Sequence, residues 1–424
     1  MTRRTPHCSC WKWVATAIRC AAVVLLGLLA ADGLGTRIAW GQSDRSVGQD
    51  SGTAEKIRFA TFNVSLNRQR PGKLSDDLAS GTSVQAQKLA AIIQEVRPDV
   101  LLLCEFDYEP SGRAIRAFHD LYLARSQEGR EPLMYPHHYS APVNTGVPTG
   151  MDLNQNGSTD DADDAFGYGK FPGQYGMLVF SRFEFDPAEV RTFQLFRWID
   201  LPNAKLPRNP DGSSYYPAAA LELLRLSSKS HWGLPLRIRG ETVHLLAAHP
   251  TPPAFDGPEQ RNRLRNSAEI RLWADYIDPQ RSGYLKDDQG RAGGLPERAK
   301  FVIVGDLNSD PIDGDGRGIL QLLEHPLVGR NPAPTSRGAV EAAGQSPQFN
   351  RHHQAPAEQD TADFSVPRGP GNLRVDYVLP SHNLRYLAGG VFWPAADELG
   401  HDLVDATDHR LVWADITLDP SDSN

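Results

Sequence analysis

The sequence contains little cysteine, no excess of basic charge and no long apolar segment. Of the four cysteines, Cys8, Cys10 and Cys20 lie close to the N-terminus, so only Cys104 remains in the rest of the chain. A fold that depends on internal disulfides is therefore excluded for that part. The formal net charge of −8 argues against a protein that holds nucleic acid through a broad basic face. The apolar run at 21–31 is short for a membrane span, which needs roughly 20 residues.

Residues 1–41 have the layout of a signal peptide. The basic residues before the apolar run are Arg3, Arg4, Lys12 and Arg19. Ala39-Trp40-Gly41 then offers small residues before a cleavage point. We expect a secreted, periplasmic or cell-envelope protein without a stable membrane span after cleavage, and a flexible lead-in at 42–55. The alternative interpretation is an uncleaved membrane anchor.

The segment from Phe301 to Asp310 reads as a buried strand with a polar tip. Its apolar, β-branched residues run into Gly305, Asp306 and Asn308. Alternation predicts that the Asp306 and Asn308 side chains leave the strand on the same side. A carboxylate beside a carboxamide suits the binding of a water or a phosphoryl group. The alternative is an ordinary strand-to-turn cap.

Two earlier apolar segments also end in polar residues. The segment 56–63 alternates apolar and polar residues and ends at Asn63, and 100–105 ends at Glu105. Helical spacing at 85–96 separates them, and this order indicates a layered α/β fold. A carboxylate at the end of a buried run needs a partner, for which a metal is common. Glu105 could instead have a capping role.

Three further motifs place histidines and acids near strand ends. His249 ends a predicted strand just before a proline-rich turn, where it is either functional or a rim residue. Asp376 lies inside an apolar strand and needs a partner, for which an imidazole is suitable. Asp408 and His409, directly before the last predicted strand, can supply one.

Together these residues predict a metal-assisted phosphoester hydrolase. Oxygen-rich ligands with few nitrogens suit Mg²⁺ or Mn²⁺ rather than tetrahedral zinc. Two histidines oriented by carboxylates suit stabilisation of charge on a phosphoryl group and protonation of a leaving oxygen. The candidate residues are Asn63, Glu105, His249, Asp306, Asn308, Asp376, Asp408 and His409.

Residues 152–163 form a separate acidic motif. Oxygen-bearing side chains recur as in a twelve-residue calcium loop of the EF-hand type, with Gly157 at the sharp turn. The candidate ligands of a structural Ca²⁺ are Asp152, Asn154, Asn156, Ser158, Asp160 and Asp163. Asp163 stands where such loops usually carry a glutamate, and in this respect the stretch resembles dockerin-like loops. The alternative is an acidic, solvated insertion.

The motifs TFNV, LLCEFD, HPTPP, VGDLNSDP, RVDYVLP and TDHRLVWADI occur in the order of the endonuclease/exonuclease/phosphatase superfamily, which residues 56–418 resemble. The resemblance implies a DNase I-like α/β fold, a four-layer α/β/β/α sandwich of two packed mixed β-sheets with a divalent-metal site at one sheet edge. We therefore predict a single domain over 56–418, with the inserted loop 152–163, a long loop at 332–368 and a tail at 419–424.

The resemblance also implies roles for the metal and water sites. Glu105 is similar to the family's principal metal ligand, with Asn63 and Asp408 near the metal or phosphate. Asp306 resembles the acid that orients or deprotonates the attacking water, and Asn308 would hold the phosphate.

For the histidines, the resemblance implies that His409, held by Asp376, stabilises the phosphoryl oxygens or donates a proton to the leaving group. His249 stands where the apurinic-endonuclease branch usually has tyrosine. Histidine there is similar to the DNase I, sphingomyelinase and inositol-phosphatase branches, which disfavours DNA repair.

The function predicted from the sequence is a secreted, metal-dependent phosphodiesterase or phosphatase, expected to be monomeric. Its substrate would be a phosphoester, with nucleic acid and phospholipid among the candidates. One alternative is an extracellular non-specific nuclease. Another is a non-catalytic binding module on the same fold, although both histidines and all the key carboxylates are retained, which such a module does not need.

Overall fold

The computed structural model describes residues 56–418, in which two β-sheets pack face to face between outer layers of helices. This arrangement confirms the predicted four-layer sandwich. The predicted signal peptide, the lead-in at 42–55 and the tail at 419–424 lie outside the described residues.

The strands alternate with helices along most of the chain. The strands are β1 (Ile57–Leu66), β2 (Val100–Phe106), β3 (His137–Tyr139), β4 (Met177–Ser181), β5 (Arg191–Thr192), β6 (His231–Ile238), β7 (Glu241–Ala248), β8 (Lys300–Asp306), β9 (Ala362–Phe364), β10 (Gly371–Leu373), β11 (Asp376–Pro380), β12 (Arg385–Phe392) and β13 (Leu411–Thr417). The α-helices are α1 (Lys73–Leu78), α2 (Val84–Val96), α3 (Arg113–Phe118), α4 (Ala218–Leu223), α5 (Arg261–Tyr276), α6 (Leu320–Leu323), α7 (Arg337–Gln345) and α8 (Pro347–Asn350).

The pairing of the strands brings several strand ends to the same edge. One sheet has the order β12-β13-β1-β2-β4-β3 and the other β11-β8-β7-β6-β5, while β9 and β10 form a separate pair. β1 is parallel to β2, and β7 is parallel to β8, so their carboxyl ends lie together within each sheet. β11 runs antiparallel to β8, with Asp376 opposite Asp306. The start of β11 therefore lies beside the end of β8.

Alternation along the strands divides the apolar side chains between three layers of core. In β1, Phe59 packs between the sheets, whereas Phe62 faces the helices of the first outer layer. In β8, Val302 packs between the sheets and Ile303 faces α5 on the opposite outer side. Burying a large apolar side chain in this way stabilises the fold by about 1.5–3 kcal/mol. The two central sheets therefore share one apolar core, which fixes the position of one sheet on the other.

The two longest helices agree with their sequence patterns. α2 begins after Ser83, whose side-chain oxygen accepts a hydrogen bond from the Ala86 amide, and ends before Arg97 in a left-handed conformation. It was predicted at 85–96. In α5 the apolar residues Leu264, Ala268 and Leu272 recur at helical spacing, and the helix ends at Tyr276.

The prediction of a long loop at 332–368 was wrong. This segment contains α7, α8, a short 3-10 turn and β9. The Ser336 side chain caps α7 by accepting the Ala339 amide at 3.4 Å, and the carbonyl of Trp393 accepts the Gly338 amide. Alanine-rich residues inside α7 favour a helix, but the many prolines and glycines around them concealed it.

The proline-rich segment 200–230 looks like a long surface excursion in the sequence, but part of it is ordered and buried in the structure. The segment includes α4, and its last four residues, Ser227–Ser230, are buried. Their polar side chains gave no sign of burial, because the burial results from contacts with α5 and with the loop at Asn144. Within residues 56–418, no helix is both long and apolar enough to cross a membrane.

Candidate active site

Asp306, at the end of β8, is the centre of a buried polar network. Its Oδ2 accepts a hydrogen bond from Asn63 Nδ2 at 3.0 Å and lies 3.3 Å from His249 Nε2 and 3.7 Å from His409 Nε2. Its Oδ1 accepts the backbone amide of Asn308 at 3.0 Å. Burial alone would raise the pKa of Asp306, but the two histidines and Asn63 outweigh it and hold the pKa below its ordinary value. Asp306 is therefore a carboxylate at neutral pH.

Gly305 explains how Asp306 and His249 come so close. A Cβ at Gly305 would lie 2.0 Å from the carbonyl oxygen of Ala248, the residue before His249. Only glycine allows β7 and β8 to approach at this point. The glycine directly before Asp306 is thus required by packing.

His409 is held by Asp376 and carries a proton. Its Nδ1 lies 2.9 Å from Asp376 Oδ2, which also accepts a hydrogen bond from the Thr361 hydroxyl at 2.8 Å. Burial alone would lower the pKa of His409, but Asp376 and Asp306 outweigh it and raise the pKa to about 10. Burial raises the pKa of Asp376 to about 6. At neutral pH the pair is therefore an imidazolium and a carboxylate.

The pKa of His249 is shifted in the opposite direction from that of His409. It is buried, and its Nδ1 has no hydrogen-bond partner among residues 56–418. Burial and the nearby charge of Lys229 lower the pKa of His249, although Asp306 opposes them. Because Asp306 is ionised and can only accept, the hydrogen of the neutral ring lies on Nε2. The site thus contains one cationic and one neutral imidazole on the same carboxylate.

Glu105 presents oxygen atoms that no cationic side chain of the described residues neutralises. Its Oε1 accepts Asn63 Nδ2 at 3.2 Å, and its Oε2 accepts Asn67 Nδ2 at 2.7 Å. Its backbone is left-handed, with φ of 60°, a strained conformation for a non-glycine residue that is enriched at functional sites. A half-buried carboxylate held only by neutral amides fits a divalent cation.

Asp408 lies at the exposed rim of the same network. Its Oδ1 accepts hydrogen bonds from Ser65 Oγ at 3.4 Å and from Thr407 Oγ1 at 3.3 Å. The Ser65 amide in turn donates to Asn63 Oδ1 at 3.2 Å. The structure therefore links Asp408 to Asn63, and through Asn63 to Glu105 and Asp306.

Asn308 departs from the sequence prediction. β8 ends at Asp306, and Asn308 lies in a turn with φ of 52°. The prediction that the Asp306 and Asn308 side chains lie on the same side depended on strand alternation, which does not extend into this turn. The Asn308 side chain donates from Nδ2 to the carbonyl of Pro250 at 3.2 Å, so it joins the end of β8 to the loop after His249. Its phosphate-binding role stays a prediction.

Sequence reasoning missed three polar residues of the site. Asn67 follows the irregular end of β1 and holds Glu105, and Thr361 lies in the supposed long loop and holds Asp376. Lys229 lies in the supposed surface excursion, where it is 6% exposed. Asn67 has the only sequence signal, since it follows Asn63 within the same segment.

A second donor set overlaps the histidine pair. Ligand atoms of Asp306, Asp376 and His409 lie within 4.8 Å of one another, so these buried groups could bind a metal ion.

The first part of the acidic loop folds as a tight turn around Asp152. Its Oδ1 accepts the Asn156 amide at 3.0 Å, and its Oδ2 accepts the Gly157 amide at 2.8 Å. Ser158 Oγ donates to Asp160 at 2.5 Å. Asn154 Oδ1 also accepts the Asn156 amide, at 3.1 Å. Five of the six predicted calcium ligands, all except Asp163, thus lie in one hydrogen-bonded loop.

The end of the loop differs from the predicted ligand order. Asn154 and Asn156 both donate from Nδ2 to the carboxylate of Asp161. Asp163 lies 3.7 Å from Arg261 instead. The residue that faces the first ligands is thus Asp161, because a 3-10 turn at Ala162–Asp164 rotates the chain there.

Comparison with known proteins identifies the family. The model of the endonuclease/exonuclease/phosphatase family matches residues 60–422. The chain belongs to this family. Its members are hydrolases that act on phosphoester bonds. No curated protein matches the chain.

Several solved structures are distantly similar to it. An endonuclease/exonuclease/phosphatase from Beutenbergia cavernae is 17% identical, with 86% of this chain and 72% of that chain covered and a TM-score of 0.44. A family protein from Bacteroides thetaiotaomicron is 11% identical, over 86% of this chain and 98% of that chain, with a TM-score of 0.45. The mannosyl-6-phosphatase of the same organism is 11% identical, over 85% and 99%, with a TM-score of 0.43. Similarity at this distance does not identify a substrate.

Proposed function

We propose that the protein is a divalent-metal-dependent phosphoester hydrolase, a phosphodiesterase or phosphatase, in which Asp306 positions the attacking water. One observation carries this proposal. The buried Asp306 carboxylate lies 3.3 Å from a histidine with a lowered pKa and 3.7 Å from one with a raised pKa. The two imidazoles beside this carboxylate differ in charge, so they can have different roles. The neutral ring and the carboxylate can act on the water, whereas the charged ring can stabilise the phosphoryl group.

Asp306 suits orientation of the water better than removal of its proton. A carboxylate whose pKa lies far below the working pH is a weak general base, and the two histidines and Asn63, which outweigh the effect of burial, hold the pKa of Asp306 in that range. The four groups around it fix both of its oxygens. Rigid placement of this kind lowers the barrier because the reacting atoms are held close to the attack geometry.

His409 suits stabilisation of negative charge. Its imidazolium is already paired through Nδ1 with Asp376, so Nε2 is the free end of the ring and points towards Asp306. A buried cation fixed before the reaction stabilises charge that develops on phosphoryl oxygens more than a mobile one does. Its proton is also available to a leaving oxygen.

Glu105, Asn63 and Asp408 would hold the metal ion. Their donors are all oxygens, which suits Mg²⁺ or Mn²⁺; such an ion, when bound, neutralises charge on the phosphoryl oxygens. The overlapping group of Asp306, Asp376 and His409 is less suitable at neutral pH. Its imidazole is protonated and one nitrogen is already bonded to Asp376, so no nitrogen lone pair is free.

The test is hydrolysis of p-nitrophenyl phosphate, bis-p-nitrophenyl phosphate and plasmid DNA with Mg²⁺, Mn²⁺, Ca²⁺ or EDTA. We expect EDTA to abolish turnover, and Asp306→Asn and His409→Ala each to reduce kcat about 100-fold or more. His401→Ala, which removes an exposed histidine, is the matched control. Circular dichroism would verify that each variant folds. Wild-type rates in either site variant would contradict the mechanism.

The substrate pattern distinguishes the alternatives. EDTA-sensitive cleavage of DNA would identify a nuclease. Cleavage of the small esters alone would identify a phosphatase or phosphodiesterase with a narrow pocket. If the metal binds but none of the three substrates is hydrolysed, a specialised substrate such as a phospholipid, or a binding module, would be favoured.

A further inference from the structure

Lys229 is a buried cation without a partner of opposite charge. Lys229 lies two residues before β6 and is 6% exposed. Among the described residues, no carboxylate lies within ion-pair distance of its Nζ, and its ammonium makes no hydrogen bond. A buried charge without a partner is unfavourable unless something else satisfies it. The ammonium is therefore poised to accept an anion from outside the protein.

The acids around Lys229 are committed to other groups. Both oxygens of Glu269 accept backbone amides, from Ser228 at 2.6 Å and from Thr251 at 2.7 Å. Asp306 is held by Asn63, His249 and Asn308, and Glu105 by two asparagines, as described above. These carboxylates act on the Lys229 ammonium at longer range, but none of them neutralises it directly.

Strand register places Lys229 beside the catalytic histidine. β6 and β7 pair antiparallel with His231 opposite Ala248. Continuing that register by two residues brings Lys229 alongside Pro250, next to His249. The Glu269 carboxylate joins the amides of Ser228 and Thr251, which fixes the two chain segments to each other. The Lys229 carbonyl also accepts a hydrogen bond from the Asn144 amide at 2.9 Å, so the backbone of the lysine is held in place.

We propose that Lys229 binds a non-bridging phosphoryl oxygen of the substrate and of the phosphate product. This inference rests on the proposed function and assigns a binding residue to it. The Lys229 ammonium is close enough to His249 and Asp306 to act on both electrostatically, and the charged His409 lies 3.7 Å from Asp306. A phosphoryl group bound at Asp306 would therefore meet two fixed cations.

The experiment compares Lys229→Met and Lys229→Arg with the matched control Lys300→Met. Lys300 starts β8 and lies about 20 Å from Asp306 at the rise of an extended strand. Steady-state kinetics would use whichever p-nitrophenyl ester the wild type hydrolyses, with inorganic phosphate as inhibitor. We expect Lys229→Met to raise KM and the phosphate inhibition constant at least tenfold, Lys229→Arg to restore part of both, and Lys300→Met to change neither.

Two further readouts exclude an indirect effect. Titration with Mn²⁺ should give an equal or higher metal affinity in Lys229→Met than in the wild type, because the lysine is not a ligand and its positive charge repels the metal ion. The thermal midpoint of Lys229→Met should be equal or higher, because the variant removes a buried unpaired charge. Calorimetric titration with inorganic phosphate can be used even if the protein hydrolyses neither ester. Loss of phosphate binding in Lys229→Met would support the inference.

The outcomes separate this inference from the proposed function. A wild type that hydrolyses the esters, with KM and phosphate inhibition unchanged within twofold in Lys229→Met, would overturn the inference and leave the hydrolase intact. A wild type that neither hydrolyses an ester nor binds phosphate in the presence of Mg²⁺ or Mn²⁺ would overturn both.

Discussion

At the scale of single residues, the two histidines show how neighbours set the charge of a side chain. His249 and His409 are equally buried, and both face Asp306. Behind His409 lies the carboxylate of Asp376, whereas the charge beside His249 is the ammonium of Lys229. The pKa values of the two rings therefore move in opposite directions from the same ordinary value.

The pair of Asp376 and His409 gives a prediction for pH dependence. The carboxylates raise the pKa of His409 to about 10, so a reaction that needs the imidazolium proceeds below that pH and fails as the pH rises through it. Asp376→Asn removes the main carboxylate and should move the alkaline limb of the kcat/KM profile down by about one pH unit or more.

The control for this profile is Asp275→Asn, which removes the charge of a buried acid that is bonded to Arg271 and Tyr284 and to neither histidine. Its alkaline limb should coincide with that of the wild type. An unchanged alkaline limb in Asp376→Asn would show that His409 does not set the upper pH limit.

At the scale of secondary-structure elements, the sequence identifies strands and their ends better than it identifies turns. The β1, β2, β7 and β8 segments are recognisable because short apolar runs end in single polar residues. Alternation cannot be continued past such an end, and this is why the argument from alternation does not apply to Asn308. Ser65, Glu105, Tyr175 and Asn308 all have positive φ, and no local pattern marks these non-glycine residues in advance.

Burial of polar residues was the other feature that the sequence could not show. Lys229 and Thr361 lie in segments that look like loops, and they reach the site only through tertiary packing. All eight predicted site residues do meet in one network, because the parallel pairs β1–β2 and β7–β8 bring their ends to one edge. The roles of the eight residues stay predictions until activity is measured.

The acidic loop gives a prediction at the same scale. Its Asp152 turn is prearranged for a cation by two backbone amides, so Ca²⁺ should raise the thermal midpoint by several degrees, as a ligand specific to the folded state does. Asp152→Ala should lose this increase. Asp211→Ala, which changes an exposed acid in another loop, should retain it. An equal Ca²⁺ effect in both variants would place the ion elsewhere.

At the scale of the whole molecule, the charge balance predicts weak contact with polyanions. The chain has 52 acidic and 44 basic residues, and a site that takes one phosphate at a time releases few counterions. The logarithm of the DNA association constant should therefore fall with the logarithm of salt concentration with a slope shallower than about −2. Fluorescence anisotropy with Asp306→Asn and duplex DNA measures this slope. A much steeper slope would indicate a broad cationic surface.

Secretion and the monomeric state also belong to this scale, and both stay predictions. The signal-peptide pattern lies outside residues 56–418, and fold and family are compatible with several compartments and assemblies.

The pairing of the first described strand with the last has a consequence for the newly made chain. Ile57 in β1 lies opposite Ile416 in β13, so β1, which carries Asn63, gains this partner only after β13 has left the ribosome. At about 5–20 residues per second, β13 follows β1 with a delay of roughly 20 s or more. His409, directly before β13, emerges at the same late moment. The hydrolase activity that we propose would therefore be absent from a nascent chain until β13 has been made and has paired with β1.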